Sequence, residues 1–232
     1  MAIPATTGGP PLKLVSRRVL LNNYDSSRKV SQNALEKEIR KAVRSVVWPE
    51  SSDKFTIYAE SGKKRGQGSG VKPIKDCFVR SLLNGKWLGE RILGLPDKTE
   101  IGVFDAVRPF PSTRFQSLGK ERLLVESGQF AVVEWETGNI SSSHRSLNRM
   151  ALGMIKGVVA AGFLIVPTRN LAQYLTDRVG NLEELEPYFP VWEKWGIAKG
   201  LLEIISVEHD EESTDLKRTR RIPKGTDGRA RQ

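Results

Sequence analysis

The sequence has few of the side chains that form disulfides or bind zinc. Its 232 residues include one cysteine, Cys77, and two histidines. A single cysteine excludes a disulfide framework within the chain, and one cysteine with two histidines makes a Cys/His zinc site implausible. The sequence therefore predicts a fold that depends on neither.

Long hydrophobic runs are also absent. The longest, Val158 to Val166, has nine residues, whereas a helix that spans a membrane needs about 18. The first residues, MAIPATTGGPP, have neither the basic nor the apolar region of a signal peptide. We therefore expect a soluble intracellular protein with no membrane association.

Positive charge is in excess and is distributed unevenly. The formal net charge is +10. Residues 203–215 carry six carboxylates and no Lys or Arg, whereas residues 217–232 carry seven Lys/Arg and one Asp. Such blocks are either solvated tails or arms that settle on DNA phosphates. We expect a flexible segment at 1–12, a single domain at 13–216 and a basic C-terminal arm at 217–232, with nucleic acid as the first partner to test.

The hydrophobic periodicity predicts an α/β fold. The predicted strands are 101–107, 130–136, 158–166 and 201–207, and the predicted helices are 31–47, 74–83, 141–157, 170–179 and 182–188. The succession of a strand, a helix and a fully apolar strand over 130–166 indicates a βαβ unit. Its strands should be parallel, in a sheet covered by helices on both faces.

Two carboxylates share one face of the strand at 130–136. Alternate residues point the same way, so Glu134 and Glu136 should lie about 7 Å apart on the face of Val132. This pattern is consistent with a strand end that reaches solvent or with a Mg²⁺ site. Asp105, within an otherwise apolar strand, favours the metal site. Such a site suits phosphodiester hydrolysis, in which a metal activates water or a carboxylate acts as general base.

The segment after this strand has the side chains of a DNA-reading helix. Residues 137–145, TGNISSSHR, place small polar groups at a helix N-terminus, which attracts phosphate. Asn139 and Arg145 are of the types that read adenine and guanine. A plain serine cap with an exposed arginine is the alternative. Considered alone, Asp177 and Arg178 would be a surface ion pair.

Several longer strings carry a specific resemblance. The sequence resembles the BamHI-type restriction endonucleases, which belong to the PD-(D/E)xK nuclease superfamily. The strings are, in chain order, VKPIK at 71–75, EWETGNISSSHRSLN at 134–148, QYLTDRV at 173–179, LEELEPYF at 182–189 and IPKGTDG at 222–228. The resemblance implies a central mixed β-sheet flanked by helices on both faces.

The resemblance also implies roles for the acidic residues. Asp105 and Glu134 match the two principal metal ligands, and the backbone carbonyl of Trp135 matches a further ligand. Glu136 stands where most of the superfamily has Lys and matches a proposed general base. Glu90 resembles one more acidic residue of the metal site. The implied cofactor is Mg²⁺, with two ions in each active site.

For DNA, the resemblance implies a palindromic double-stranded target. The site would be GGATCC, cut after the first G to leave four-base 5′ overhangs. A palindrome calls for a homodimer in which each subunit reads one half-site. A prokaryotic cytoplasmic location and a cognate methyltransferase follow from the class. The matching DNA-binding residues are Asn139, Ser141, Arg145, Asp177, Arg178 and Lys75.

The chain departs from the family pattern in three places. Residues 108–126 are predicted to form an inserted loop, because Asp105 and Glu134 lie further apart than in the family. A basic arm stands where the family has a C-terminal helix. Ile155 and Pro190 occupy positions that are charged in the family's dimer interface, so the dimer, still a helix bundle, should have more apolar contact.

Three alternatives stay open. A related nuclease with a different outer base pair would cut RGATCY. A catalytically inactive scaffold would bind DNA specifically without cutting it, although the retention of Asp105, Glu134 and Glu136 argues against this. A repair or junction nuclease would select DNA structure rather than sequence.

Overall fold

The computed structural model describes residues 12–25, 27, 30–63, 66–176 and 179–224. The strands are β1 (Lys13–Asn23), β2 (Thr56–Tyr58), β3 (Arg91–Gly94), β4 (Glu100–Phe104), β5 (Ala106–Pro109), β6 (Arg114–Leu118), β7 (Arg122–Ser127), β8 (Phe130–Trp135), β9 (Val159–Pro167), β10 (Gly200–Glu208) and β11 (Glu211–Ser213). The helices are α1 (Gln32–Arg44), α2 (Lys72–Leu83), α3 (Ile140–Ile155), α4 (Arg169–Ala172), α5 (Leu182–Leu185) and α6 (Phe189–Trp192), with a 3₁₀ turn at Glu186–Tyr188.

A five-stranded mixed sheet forms the centre of the fold, in the order β1-β10-β9-β8-β5. The three inner strands, β10, β9 and β8, are parallel, and the two outer strands are antiparallel to their neighbours. A second sheet has the order β4-β3-β7-β6, and β11 pairs with β2. The predicted mixed α/β fold is confirmed.

Helices cover both faces of the central sheet because β8, β9 and β10 bury side chains on both sides. Val133 of β8 belongs to the same core as Leu35 of α1 and Phe78 of α2. Its neighbour Val132 belongs to a second core with Leu147 of α3. The alternation along β8 therefore sends successive residues into opposite cores.

The predicted βαβ unit is confirmed as β8, α3 and β9. Strands β8 and β9 are adjacent and parallel, with Val133 opposite Phe163. All nine residues of β9 are buried, as expected of a parallel strand with helices on both faces. The helix begins slightly earlier than predicted, because Asn139, rather than a serine of 141–143, caps it.

The strand predicted at 101–107 is divided at Asp105. Residues 100–104 form β4 of the second sheet, whereas 106–109 form β5 of the central sheet. Asp105 lies where the chain passes from one sheet to the other. This division gives its carboxylate a position outside either hydrogen-bonded ladder.

The prediction that residues 108–126 form a loop was wrong. Residues 106–109 continue into β5, and 114–118 and 122–127 form the antiparallel hairpin β6–β7. Strand β7 also pairs in parallel with β3, so the hairpin completes the second sheet. The hairpin buries Leu123 and Val125, which explains why the segment is ordered rather than a loop.

The predicted helix at 170–179 is only one turn long. The chain leaves the helix after Ala172 because Leu175 forms a parallel bridge to Ser69. The amide of Ser69 donates to the carbonyl of Tyr174 at 2.8 Å, and the amide of Thr176 donates to the carbonyl of Ser69 at 2.9 Å. These bonds replace the helical ones. The helix predicted at 182–188 is α5 followed by the 3₁₀ turn.

The described part of the predicted basic arm is packed against the domain. Ile222 and Thr219 are buried, and the amide of Gly70 donates to the carbonyl of Ile222 at 2.9 Å. Arg221 forms an ion pair with Glu60 at 2.6 Å. Residues 1–11 and 225–232 lie outside the described residues. Within the described part of the chain, no helix is long and apolar enough to cross a membrane.

Candidate active site

Asp105 connects the point between the two sheets to the end of β8. Its Oδ2 accepts a hydrogen bond of 2.8 Å from the backbone amide of Trp135. Its Oδ1 accepts one of 3.0 Å from Nζ of Lys75, on α2. Burial lowers the pKa of Lys75, but the Asp105 carboxylate outweighs it and raises that pKa overall. Lys75, predicted by resemblance to lie near DNA, therefore pairs with a predicted metal ligand.

Glu134 lies on the opposite face of β8 from Trp135 and is largely buried. Its Oε1 accepts a 2.6 Å hydrogen bond from Nη2 of Arg149, on α3. Burial and the nearby Asp105 carboxylate raise its pKa well above the ordinary value, while Arg149 and Lys75 oppose that rise. Asp105 and Glu134 therefore share one electrostatic site, as the sequence predicted.

Glu136, just beyond β8, is held in place from both sides. The hydroxyl of Ser143, on the first turn of α3, donates to its Oε2. The amide of Gly138 donates to its Oε1 at 2.6 Å. Burial raises the pKa of Glu136, and these hydrogen bonds oppose that rise. Glu134 and Glu136 both face α3, which confirms the predicted alternation.

Glu90 is the most peripheral of the predicted acidic residues. Its side chain is exposed, and it lies close enough to Lys75 to raise that residue's pKa. Leu88 pairs with Val107 of β5, which brings this segment to the edge of the central sheet. The structure thus places Glu90 beside the cluster formed by Asp105, Glu134 and Glu136.

The oxygen atoms at this cluster fit magnesium better than a softer metal. Among the described residues, no three Asp, Glu, His or Cys side chains form a group that could hold a metal ion alone. Mg²⁺, however, is commonly held by one or two carboxylates together with waters and substrate phosphate. Asp105 and Glu134 could supply the carboxylates and the carbonyl of Trp135 a further oxygen. In this structure Asp105 is paired with Lys75 and Glu134 with Arg149.

The N-terminus of α3 begins directly after the acidic strand. Oδ1 of Asn139 accepts from the amide of Ser141 at 3.1 Å and so caps the helix. Ser141 and Arg145 are exposed on the same side of α3, and Nη2 of Arg145 lies 3.2 Å from Oγ of Ser142. Three predicted DNA-binding residues, Asn139, Ser141 and Arg145, therefore lie together at the start of the helix that follows Glu136.

Asp177 and Arg178 lie outside the described residues, but the residues on either side are described. Thr176 is hydrogen-bonded to Ser69, as given above. The amide of Gly180 donates to the carbonyl of Gly138 at 2.8 Å. A Cβ atom at Gly180 would lie 3.1 Å from the backbone of Ile140. The chain after this pair thus passes against the start of α3.

Comparison with known proteins identifies the family of this chain. The family described as restriction endonuclease BamHI matches residues 12–229. The chain belongs to the BamHI restriction endonuclease family. It is 40% identical over 193 residues to the type II restriction enzyme OkrAI of Oceanobacter kriegii, covering 83% of this chain and 87% of OkrAI. It is 35% identical over 173 residues to the type II restriction enzyme BamHI of Bacillus amyloliquefaciens, covering 72% of each.

Membership of the BamHI family confirms the resemblance found in the sequence. The chain is a type II site-specific deoxyribonuclease with a restriction-endonuclease fold. Restriction enzymes act on DNA, and the family as a class depends on metal.

Two residues of this site were not identified from the sequence. Ser143 and Arg149 are the α3 residues that bind Glu136 and Glu134. The sequence does contain an indication of such contacts. Ser143 and Ser146 are polar residues on the face of α3 that also carries Leu147 and Met150, and this face is buried. Buried polar groups need hydrogen-bond partners, so their presence on that face indicates polar groups on the strand beneath.

Proposed function

We propose that the chain is a Mg²⁺-dependent, homodimeric restriction endonuclease that cuts the palindrome GGATCC after the first G and leaves four-base 5′ overhangs. One observation carries the proposal. Asp105, Glu134 and Glu136 lie close enough to influence one another electrostatically, and they lie at the end of β8, next to the helix start that bears Asn139, Ser141 and Arg145. The carboxylates proposed to act in cleavage therefore lie at the end of β8, with Asp105 joining them from between β4 and β5, and the residues proposed to read DNA lie at the start of the next helix, α3.

Asp105 and Glu134 would hold Mg²⁺, aided by the carbonyl of Trp135. When bound, such a metal would supply Lewis acidity toward the scissile phosphate and would lower the pKa of a bound water. Asp105 is fixed by its hydrogen bonds to Trp135 and Lys75, and Glu134 by that to Arg149. Such partners orient the ligands, and their loss typically weakens metal binding or activity.

Glu136 would accept the proton of the attacking water. The water oxygen would form a bond to phosphorus while its proton passes to Glu136, and the bond from phosphorus to the 3′ oxygen would break, with that oxygen taking up a proton from solvent. Ser143 and the amide of Gly138 hold the carboxylate in one orientation at the end of β8. A general base must lie within hydrogen-bonding reach of the proton that it accepts, whatever its pKa. The contacts with Ser143 and Gly138 fix the orientation of the Glu136 carboxylate for this role.

The reading residues support the proposed target. Asn and Arg side chains recognise adenine and guanine edges in the major groove. Asn139 is the N-cap of α3, and Arg145 lies on its second turn. Asp177 and Arg178 are proposed to read the outer G·C pairs. A palindromic target is read by two copies related by a two-fold axis, and a cognate methyltransferase would protect the host's own sites.

The test is cleavage of short duplexes that differ in one base pair. Purified protein with Mg²⁺ should cut GGATCC and should not cut with EDTA. Arg178→Ala should lower discrimination at the outer pair by about 1–3 kcal/mol. Equal cutting of AGATCT by the unaltered protein would instead establish RGATCY as the target. Cleavage that follows DNA junctions rather than sequence would overturn the proposal.

A further inference from the structure

Arg149 is a positive charge built into the acidic site by α3. Its Nη2 donates to Oε1 of Glu134 at 2.6 Å and to Oγ of Ser146 at 3.1 Å. The side chain of Arg149 is only 27% exposed and that of Glu134 12% exposed. The pair is therefore mostly shielded from water, in contrast to the surface ion pairs of this protein.

The surroundings of Arg149 hold its side chain in one position. Its guanidinium carbon lies 5.8 Å from the ring centre of Phe104. A Cβ atom on Gly102 would lie 2.5 Å from Cδ of Arg149, and Gly102 has φ +131°. Glycine is thus required at this position of β4, both for its backbone conformation and for the close approach of Arg149. The second sheet therefore leaves room for this arginine.

Electrostatics gives Arg149 a role besides packing. A buried carboxylate beside another carboxylate is costly unless a positive charge accompanies it. Arg149 supplies that charge at Glu134, and Lys75 supplies one at Asp105. A divalent cation that binds Glu134 must therefore do so where the guanidinium of Arg149 already neutralises the negative charge of this carboxylate.

We infer that Arg149 is the internal counter-ion of Glu134 in the metal-free enzyme, and that a divalent cation binds Glu134 in competition with this guanidinium. The inference rests on the proposed metal-dependent function. It makes Arg149 a positioning residue that keeps Glu134 in place before metal binds and weakens metal binding in the absence of DNA. A purely structural Arg149 would have the opposite effect, because its loss would disorder a ligand.

The experiment measures metal affinity without DNA, so that no reaction is involved. Mn²⁺ is a suitable probe because it prefers the same oxygen ligands as Mg²⁺. Its free ion is quantified by electron paramagnetic resonance. Arg149→Met keeps the aliphatic contacts with Phe104 and removes the charge. A nearby unit charge acts strongly in a shielded site. The Arg149→Met variant should therefore bind Mn²⁺ more tightly, with a Kd at least about fivefold lower than that of the unaltered protein.

Two matched variants serve as controls. Arg149→Lys keeps the charge and should bind Mn²⁺ with close to the unaltered affinity. Lys156→Met removes an exposed charge from the end of the same helix and should also leave the affinity unchanged. If Arg149→Met is too unstable to purify, Arg149→Gln provides the same comparison, because it removes the charge and retains a polar group for Ser146.

A separate variant distinguishes failure of this inference from failure of the proposed function. Glu134→Gln should lose the Mn²⁺ binding that the unaltered protein shows. If it does, and Arg149→Met and Arg149→Gln bind Mn²⁺ no more tightly than the unaltered protein, only the counter-ion role is overturned. If Glu134→Gln binds Mn²⁺ normally, the metal site itself is wrong, and the inference fails with it.

Discussion

The hydroxyl of Ser143, on the first turn of α3, donates a hydrogen bond to the carboxylate of Glu136 at the end of β8. Ser143 is fully buried, and it lies two residues from Ser141 and two from Arg145, both of which face solvent. The helix proposed to read DNA is thus bonded directly to the group proposed to accept a proton. A displacement of this helix would alter the orientation of Glu136.

Ser143→Ala should reduce cleavage more than DNA binding. Loss of a hydrogen bond to a buried carboxylate costs about 1–3 kcal/mol of stability, and loss of an orienting contact typically costs about 10- to 100-fold in activity. Single-turnover cleavage and gel-shift affinity would be measured together. Ser45→Ala, which removes a hydroxyl bonded to Ala42 at the end of α1, is the control. Equal loss of rate in both variants would contradict this role.

Glu134→Gln should abolish cleavage while leaving specific DNA binding intact or tighter. The substitution removes a metal ligand that is worth several kcal/mol in the transition state, so the rate should fall at least about 100-fold. It also removes a negative charge close to the DNA phosphates, which favours binding. Glu126→Gln changes an exposed glutamate of β7 and should have no effect on either. Normal cutting by Glu134→Gln would remove this residue from the metal site.

Stability should depend on pH through Glu203, which lies on β10, two strands away from β8 in the central sheet. Glu203 lies in β10 and is fully buried, with Oε1 bonded to Arg17. Burial raises its pKa from 4.5 to about 7 against the effect of Arg17. The folded state therefore binds a proton that the unfolded state releases. The stabilisation from this proton is complete below pH 4.5 and is lost as the pH rises to about 7.

Glu203→Gln removes this titration and isolates its contribution. Relative to the unaltered protein, the variant should gain about 2–3 kcal/mol of unfolding free energy between about pH 5 and pH 8. Urea denaturation at both pH values measures that difference, and other titrating groups cancel in the comparison. If the difference in unfolding free energy between the variant and the unaltered protein is the same at about pH 5 and at about pH 8, Glu203 does not titrate in this range.

The proposed dimer should depend on exposed apolar residues at the end of α3 and on α6. Ile155 is 68% exposed and Val191, next to Pro190, is 59% exposed. Burying such side chains stabilises an interface, whereas a buried unpaired charge destabilises it. Ile155→Arg should raise the dimer dissociation constant at least about tenfold by analytical ultracentrifugation.

Leu118 offers the matched control for the dimer. It is 49% exposed on β6, in the second sheet. Leu118→Arg should leave the sedimentation of the protein unchanged and its cleavage rate normal. Dissociation by Leu118→Arg, or an unaltered dimer in Ile155→Arg, would place the interface elsewhere.

The parts of the fold that could be predicted from the sequence are those with strong local patterns. The apolar run of β9 and the amphipathic α3 identify the βαβ unit without any knowledge of distant residues. Strand β1 was not predicted, because it is a half-exposed edge strand with basic residues. Its partner is remote in sequence, since Lys13 pairs with Glu208 of β10. Local periodicity contains no information about such a pairing.

The candidate site shows the same division. Asp105, Glu134 and Glu136 could be identified because acidic residues are unusual in apolar strands. The ion pairs of Lys75 and Arg149 could not, since each depends on how two separate elements pack. Strand residues were correctly predicted on both sides of Asp105, but Asp105 itself lies between β4 and β5. The change of sheet at this residue depends on pairing with remote strands, β3 on one side and β8 on the other, which the local pattern did not reveal.

The most direct test of the account is digestion of a plasmid that carries one GGATCC site, with Mg²⁺ and with the ends of the product sequenced. The account predicts one linear product, cut after the first G on both strands with four-base 5′ overhangs, and no product from Glu134→Gln under the same conditions. Tight binding at the site without cleavage, or cutting at other sequences, would contradict it.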